Sequence, residues 1–185
     1  MLSLAACGGN SGNGGNGGNS GADTDDSTAT SYKDTLTWAQ GADVTSLDPH
    51  QGKETPAVEV TCQIFDTLVV VDPETNEIKG QIAESWEQTD DLTYVFKIRQ
   101  GIKFHDGSDL TSEDVVASIT YAKTCPEVNL YNGSILTVEA VDEYTVKMTT
   151  DGPSATLLYD LCHHGNSIVP KELTSGNRFV FKRFL

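Results

Sequence analysis

From Gly8 to Gly21 every residue is Gly, Asn or Ser. Nothing else in the chain constrains its folding so strongly. Glycine lacks a Cβ and loses much entropy on ordering, and Asn and Ser offer no apolar face. The tract and the polar stretch to about Thr30 therefore read as a flexible tether and not as a spacer of fixed length. A glycine loop that cradles phosphate would need an apolar strand before it and a helix after it, and neither is present. Setting the leader aside leaves about 150 residues, enough for one ordinary core and too few for two large lobes.

Charge narrows the function classes. Lys and Arg number 12 against 27 Asp and Glu, a formal net charge of −15. A chain this acidic has little with which to replace the counterions condensed on a nucleic acid, so no nucleic-acid partner is expected. No run approaches the roughly 18 apolar residues of a membrane helix.

Only six residues precede Cys7, and none is basic. Leu4-Ala5-Ala6-Cys7 nevertheless resembles the bacterial lipobox, in which small residues admit the peptidase and the thiol carries the lipid. Residues 1–7 are expected to be the end of a signal with lipid attachment at Cys7, and residues 8–32 the linker. The alternative is a free Cys on a polar tail. Cys62, Cys125 and Cys162 remain. No pair has Cys-x-x-Cys spacing, and all three read as small buried apolar side chains.

The folded part alternates short strands with a few helices. Thr35 to Ala39 reads as a first strand. Thr55-Pro56 opens a helix whose apolar face runs through Ala57, Thr61 and Phe65. Leu68 to Val71 is a buried strand stopped at Asp72-Pro73. In Thr93 to Arg99, Tyr94, Phe96 and Ile98 share one face. Thr111 and Asp114 make a capping box for a helix burying Val115, Val116, Ile119 and Ala122. Ser134 to Val141 and Glu143 to Thr149 form a hairpin. Pro153 opens a short helix through Leu157, Leu158 and Leu161, and Ser167 to Val169 reads as a last strand.

Chemistry is sparse. The four histidines show no convergent metal-ligand pattern, and adjacent His163 and His164 would point to opposite faces of a strand. His105-Asp106 sits at a turn, where a structural role outweighs an acid–base one. No nucleophile–base–orienter set stands out, so no catalytic residues, metal or cofactor are expected.

Six blocks in order carry a family resemblance: Ser46-Leu47-Asp48-Pro49-His50, Ile64-Phe65-Asp66-Thr67-Leu68, Ala83-Glu84-Ser85-Trp86-Glu87, the strand from Asp91 to Gly101, Lys103-Phe104-His105-Asp106-Gly107 with Thr111 to Val116, and Ile168-Val169-Pro170-Lys171-Glu172. Together they resemble the family 5 extracellular solute-binding proteins, the peptide and nickel receptors of bacterial ABC importers. The resemblance implies an α/β fold of the type II periplasmic-binding-protein kind. Here that fold is truncated to a mixed α+β subdomain plus part of the main lobe, within residues 33–176. It implies a non-enzymatic receptor lipoprotein that works with permease and ATPase subunits, faces the periplasm or cell surface and touches the membrane through its lipid. The ligand implied is a short peptide, with nickel complexes or other small solutes as the alternative. A secreted hydrolase and a structural surface domain are the non-receptor alternatives.

By the same resemblance the loop Lys53-Glu54-Thr55 lends backbone groups to a peptide, and Tyr131 and His163 line the cleft. Trp86, Tyr94 and Phe96 are core. The basic end, residues 177–185, fits neither the family pattern nor the acidic chain and reads as out-of-frame sequence, with a genuine amphipathic basic end as the alternative. With an export signal supplied upstream, Cys7→Ser should release the protein from membranes into the soluble fraction. Unchanged membrane retention on fractionation would contradict the anchor.

Overall fold

The computed structural model describes Thr35 and residues 37–175. The expectations for Cys7, the linker and the basic end lie outside the described residues.

The alternation in Tyr94, Phe96 and Ile98 does what its period demands. All three are buried on one face of β4 (Thr93–Ile98), whereas Lys97 points outward to donate from Nζ to Thr145 Oγ1 at 2.8 Å. This strand pairs antiparallel with β3 (Ala83–Asp90) on one side and β6 (Thr145–Thr150) on the other. A further strand, β5 (Ile135–Asp142), closes the sheet, giving the order β3-β4-β6-β5. Val146 and Met148 of β6 stand opposite Phe96 and Tyr94, so the buried face is continuous across the central strands. The other face is polar, with Lys147 and Glu139 paired across strands at 3.2 Å. Two shorter strands, β1 (Val69–Val71) and β2 (Ile78–Gly80), form a separate hairpin over the Asp72 turn.

The helix α2 (Ser112–Thr124) packs Val115 and Ile119 into the sheet's apolar face. Its start is the expected capping box: Asp114 Oδ2 accepts from Thr111 N and Thr111 Oγ1, both at 2.9 Å. It ends at Thr124, and Cys125 is extended ahead of Pro126, as the residue before a proline is expected to be. Leu157 and Leu161 of α3 (Leu157–Leu161) complete the core with Leu68 and Val69. Trp86 is half-buried and packs against the same core.

Of the three cysteines read as buried, only Cys125 is: Cys62 is exposed and Cys162 half-buried. Three expectations of secondary structure also need correction. The helix α1 (Thr55–Thr61) is shorter than its apolar pattern, because after Thr61 the chain tightens into turns in which Ile64 N and Phe65 N both donate to Thr61 O. Its cap is Glu54, not Thr55. Residues 37–40 form no strand, and Trp38 is 71% exposed: alternation supplies a face but not a partner ladder.

The third correction is the segment Ser167–Val169, which is buried but not a strand. Ser167 N and Ile168 N donate to the backbone carbonyls of His164 and Asp66, and Val169 finds a side-chain partner. Val169 N donates to Ser118 Oγ at 2.9 Å, and Ser118 Oγ donates to Val169 O at 3.1 Å. One serine thus does the work of a ladder neighbour. Beside it, Asp114 Oδ1 accepts from Lys171 N at 3.0 Å, fixing the start of α4 (Lys171–Thr174), a short helix that the sequence pattern does not announce.

Asp114 therefore satisfies three donors from two elements while 5% exposed. Replacing it by Ala removes a cap and strands backbone N–H groups, which together cost about 2–3 kcal/mol. Urea unfolding of Asp114→Ala should show a loss of that size with little change in m-value. A loss under about 0.5 kcal/mol, the range of a neutral surface change, would contradict the assigned role.

Candidate functional site

The buried motif Asp48-Pro49-His50 makes a turn on its own carboxylate. Asp48 Oδ1 accepts from His50 N at 2.9 Å, and Gln51 N and Gly52 N both donate to Asp48 O at 3.1 Å. The His50 ring is fully buried and meets the Tyr121 ring of α2 edge-on, with centroids 5.2 Å apart. His50 Nδ1 lies 3.3 Å from Asp48 Oδ1 but out of line for a hydrogen bond, so neither ring nitrogen has a hydrogen-bond partner. Tyr121 donates to Asp48 Oδ2 at 3.3 Å and accepts from Gln51 Nε2 at 2.7 Å. Burial, helped by the Asp48 charge, pushes the Tyr121 phenol up to about 12.

This turn delivers Lys53, Glu54 and Thr55 to the surface at the start of α1, all three exposed. Lys53 pairs with Glu127, which holds the ammonium pKa above its ordinary value. The Glu54 carboxyl is pulled down by its own backbone N–H and by the Thr45 hydroxyl.

Past α2, a 3₁₀ turn (Asn129–Asn132) presents Tyr131. Its ring stacks on His163, with centroids 3.5 Å apart and planes 20° from parallel. His163 and His164 are not on opposite faces of a strand. They enter a second 3₁₀ turn (His164–Asn166) with ring centroids 4.1 Å apart. Gly165 is required there, since a Cβ would come within 2.5 Å of Val128 Cγ1. Gly165 N donates to His163 Nδ1 at 3.1 Å, and Asn166 N to His163 O at 2.8 Å. Burial, with the neighbouring His164 adding to it, pushes His163 down to about 4. Burial also lowers His164, the Gly52 backbone opposing and His50 assisting.

Three segments thus meet around the expected positions. Lys53 joins the first to the second through Glu127, and Tyr131 joins the second to the third through His163. Glu54 and Thr55 stand beside Lys53 without reaching the aromatic pair through any contact given by the structure. Sequence reasoning passes over Tyr121, Glu127, His50 and His164. The available signal for Tyr121 is spacing: it follows Ser118 by three and Asp114 by seven, on the same face of α2. Two surface depressions are present among the described residues, the first bordered by Tyr121. One runs along α2 by Val116 and Ala140, and the other lies on the open sheet face by Lys97 and Tyr144. Among the described residues no group of His, Cys, Asp and Glu is placed to hold a metal ion.

The mixed α/β architecture matches solved periplasmic binding proteins of type II, including an oligopeptide-binding protein from Burkholderia pseudomallei at TM-score 0.66 and 18% identity. The chain belongs to the bacterial extracellular solute-binding proteins, family 5, whose middle region matches residues 77–182. It is 33% identical over 136 residues to the glutathione-binding protein GsiB of Escherichia coli K12, covering 71% of this chain and 26% of that protein. It is also similar to the binding protein MoaA of an A. tumefaciens strain, solved with mannopinic acid (34% identity, TM-score 0.65, 70% of this chain and 28% of that one). A third relative is DppA of Helicobacter pylori, solved with the peptide STSA (28% identity, TM-score 0.63, 71% and 30%). These relatives carry the names of binding proteins, not of enzymes. The chain spans about a quarter of the length of the curated relatives it matches.

A histidine held below its unfolded value of about 6.5 stabilises the fold fully above that pH, and its contribution is lost as pH falls toward the folded value. For His163 the window runs from about 6.5 down to about 4. His163→Phe keeps a ring for Tyr131 but cannot titrate. The variant should be less stable than the parent at pH 7, and the gap should narrow steadily by pH 4.5 in urea titrations. A gap that stays constant across that range would contradict a neutral, enclosed His163.

Proposed function

We propose that the chain supplies part of the solute-binding receptor of an ABC importer, with short peptides as the solute. Similarity at 33% identity to a glutathione-binding protein and at 28% to a binding protein solved with a peptide carries this reading. Glutathione is itself a tripeptide. The receptor would perform no chemistry on the solute and would hand it to permease and ATPase subunits in the membrane. Family 5 proteins are extracellular or periplasmic. No helix among the described residues is long and apolar enough to cross a bilayer, so attachment through lipid on Cys7 accords with this placement.

Physical chemistry supports peptides over metal complexes. Lys53 lies in irregular backbone after Gly52, with Glu54 and Thr55 turning into α1, and backbone recognition at such a segment suits a receptor that must accept many side chains. Tyr131 and His163 add a flat aromatic wall, joined to that loop through Glu127.

The test uses the longest product of the reading frame that contains this chain. It should be titrated by calorimetry with mixed di- to pentapeptides and glutathione, and separately with nickel plus a small chelator. Saturable peptide binding with a negative heat-capacity change is expected, as burial in a closing cleft requires. Binding of the nickel complex without any peptide response would overturn the ligand class.

A further inference from the structure

Two of the four described histidines sit where a second proton finds no acceptor. His163 opens the second 3₁₀ turn, and its Nδ1 caps that turn by accepting the Gly165 N–H at 3.1 Å. A ring nitrogen that accepts a hydrogen bond carries no proton, so the capping ring is neutral. His164 follows, with its ring centroid 4.1 Å from that of His163. Its Nε2 is buried with no hydrogen-bond partner, so a proton placed there would have nothing to donate to. The other two histidines differ. His50 Nδ1 lies 3.3 Å from Asp48 Oδ1, so a charged His50 has a carboxylate beside it. His105 is exposed, with Nε2 on Ile64 O at 3.1 Å.

The neighbouring elements offer the pair little charge compensation. Tyr131 of the first 3₁₀ turn stacks on His163, and the Asp160 carboxylate of α3 is taken by Thr156 Oγ1 at 2.9 Å. From the Asp48 turn, His50 and the Gly52 backbone act on His164. Behind His50 stand Asp48 and Tyr121, with Cys125 at the end of α2. Lys53 and Glu127 are paired with each other. Among the described residues, His50 is the one histidine within ion-pair distance of a carboxylate. Charging both rings of the turn would also set two cations against each other at 4.1 Å. The turn's own ties are few: Asn166 N donates to His163 O and Asn166 Nδ2 to Asp160 O, both at 2.8 Å. The next residues are held separately and by groups that do not titrate, Ile168 N by Asp66 O and Val169 by the Ser118 hydroxyl.

We propose that the 3₁₀ turn carrying His163 and His164 is an acid-sensitive latch: protons taken up by its two imidazoles release the turn from Tyr131 and Gly52, while the sheet and Val169 stay in place. A proton on His163 Nδ1 sets two donors against each other across the Gly165 contact and removes the cap. A charged His164 exchanges its buried position for water, which solvates it. Burial, with His164 adding to it, holds His163 at about 4, against about 6.5 in an open chain. The open turn therefore binds more protons than the closed one from about 6.5 down to about 4. Across that window opening gains about ten-fold per pH unit for each proton taken up, and above it the latch is shut. The device belongs to the fold and is independent of which solute the receptor takes.

The experiment is amide hydrogen exchange read by NMR on the 185-residue chain at pH 6.5, 5.5 and 4.5, corrected for the intrinsic exchange rate at each pH. Nitrogen-15 imidazole shifts are recorded alongside. Protection of Gly165 and Asn166 should fall at least about a hundred-fold over those two units, the share of one proton. Both amides should exchange faster than Val169 and the amides of β4 at every pH, and His163 should titrate well below a free imidazole. His163→Asn keeps a capping oxygen for Gly165 but cannot titrate, so it should remove that hundred-fold share. Protection of Gly165 that is flat with pH overturns the proposal. So does exchange of Gly165 and Asn166 at the rate of β4 throughout, which would mean that the whole fold opens and not the turn. A His163 that titrates as a free imidazole, or an undiminished pH dependence in His163→Asn, also overturns it. If the variant shows no protection in β4, the parent's own slope and imidazole shifts decide.

Discussion

The structure hangs on two polar side chains of one helix. Asp114 and Ser118 stand four residues apart on α2, so they share a face. From that face they bind backbone groups of the segment that runs from Val169 to Lys171, which has no strand partner of its own. Buried backbone must be paired somewhere, and here two side chains meet that demand. The opposite side of the same helix is apolar and packs on the sheet through Val115 and Ile119. The helix thereby ties the sheet to the return segment, and the 3₁₀ turn carrying His163 and His164 lies immediately before that segment.

The other end of α2 performs the matching task for the first segment. Tyr121 holds the Asp48 carboxylate and receives Gln51, which sets the turn that presents Lys53, Glu54 and Thr55. Just beyond the helix, Val128 and Tyr131 receive Gly165 and His163. Three chain segments distant in sequence therefore share one support.

Much of the fold is legible in the sequence because its signals are local. The period-two pattern of Tyr94, Phe96 and Ile98 marks β4, and Thr111 with Asp114 marks the start of α2. The misreadings come where pairing is non-local. Ser167 to Val169 is short and fits a strand, yet Ile168 N donates to Asp66 O, and Val169 bonds through both backbone groups to Ser118, 51 residues away. The face of α1 continues past Thr61 in the sequence, but the chain tightens there to bring Ile64 and Phe65 back to Thr61 O. For the site, the resemblance implies Lys53, Glu54, Thr55, Tyr131 and His163. The ion pair with Glu127, the enclosed His50 and the stacking of Tyr131 on His163 depend on which segments meet, and residue type alone does not reveal them.

Native-state hydrogen exchange on the 185-residue chain tests most directly whether α2 holds both the turn at His50 and the return segment at Val169. The amides of His50, bonded to buried Asp48, and of Val169, bonded to Ser118, are the reporters. If the account is right, both open with the same free energy as the amides of β4 and β6, and Ser118→Ala lowers the protection of Val169 selectively. Exchange of His50 and Val169 at the rate of an exposed loop, with the central strands still protected, would contradict it.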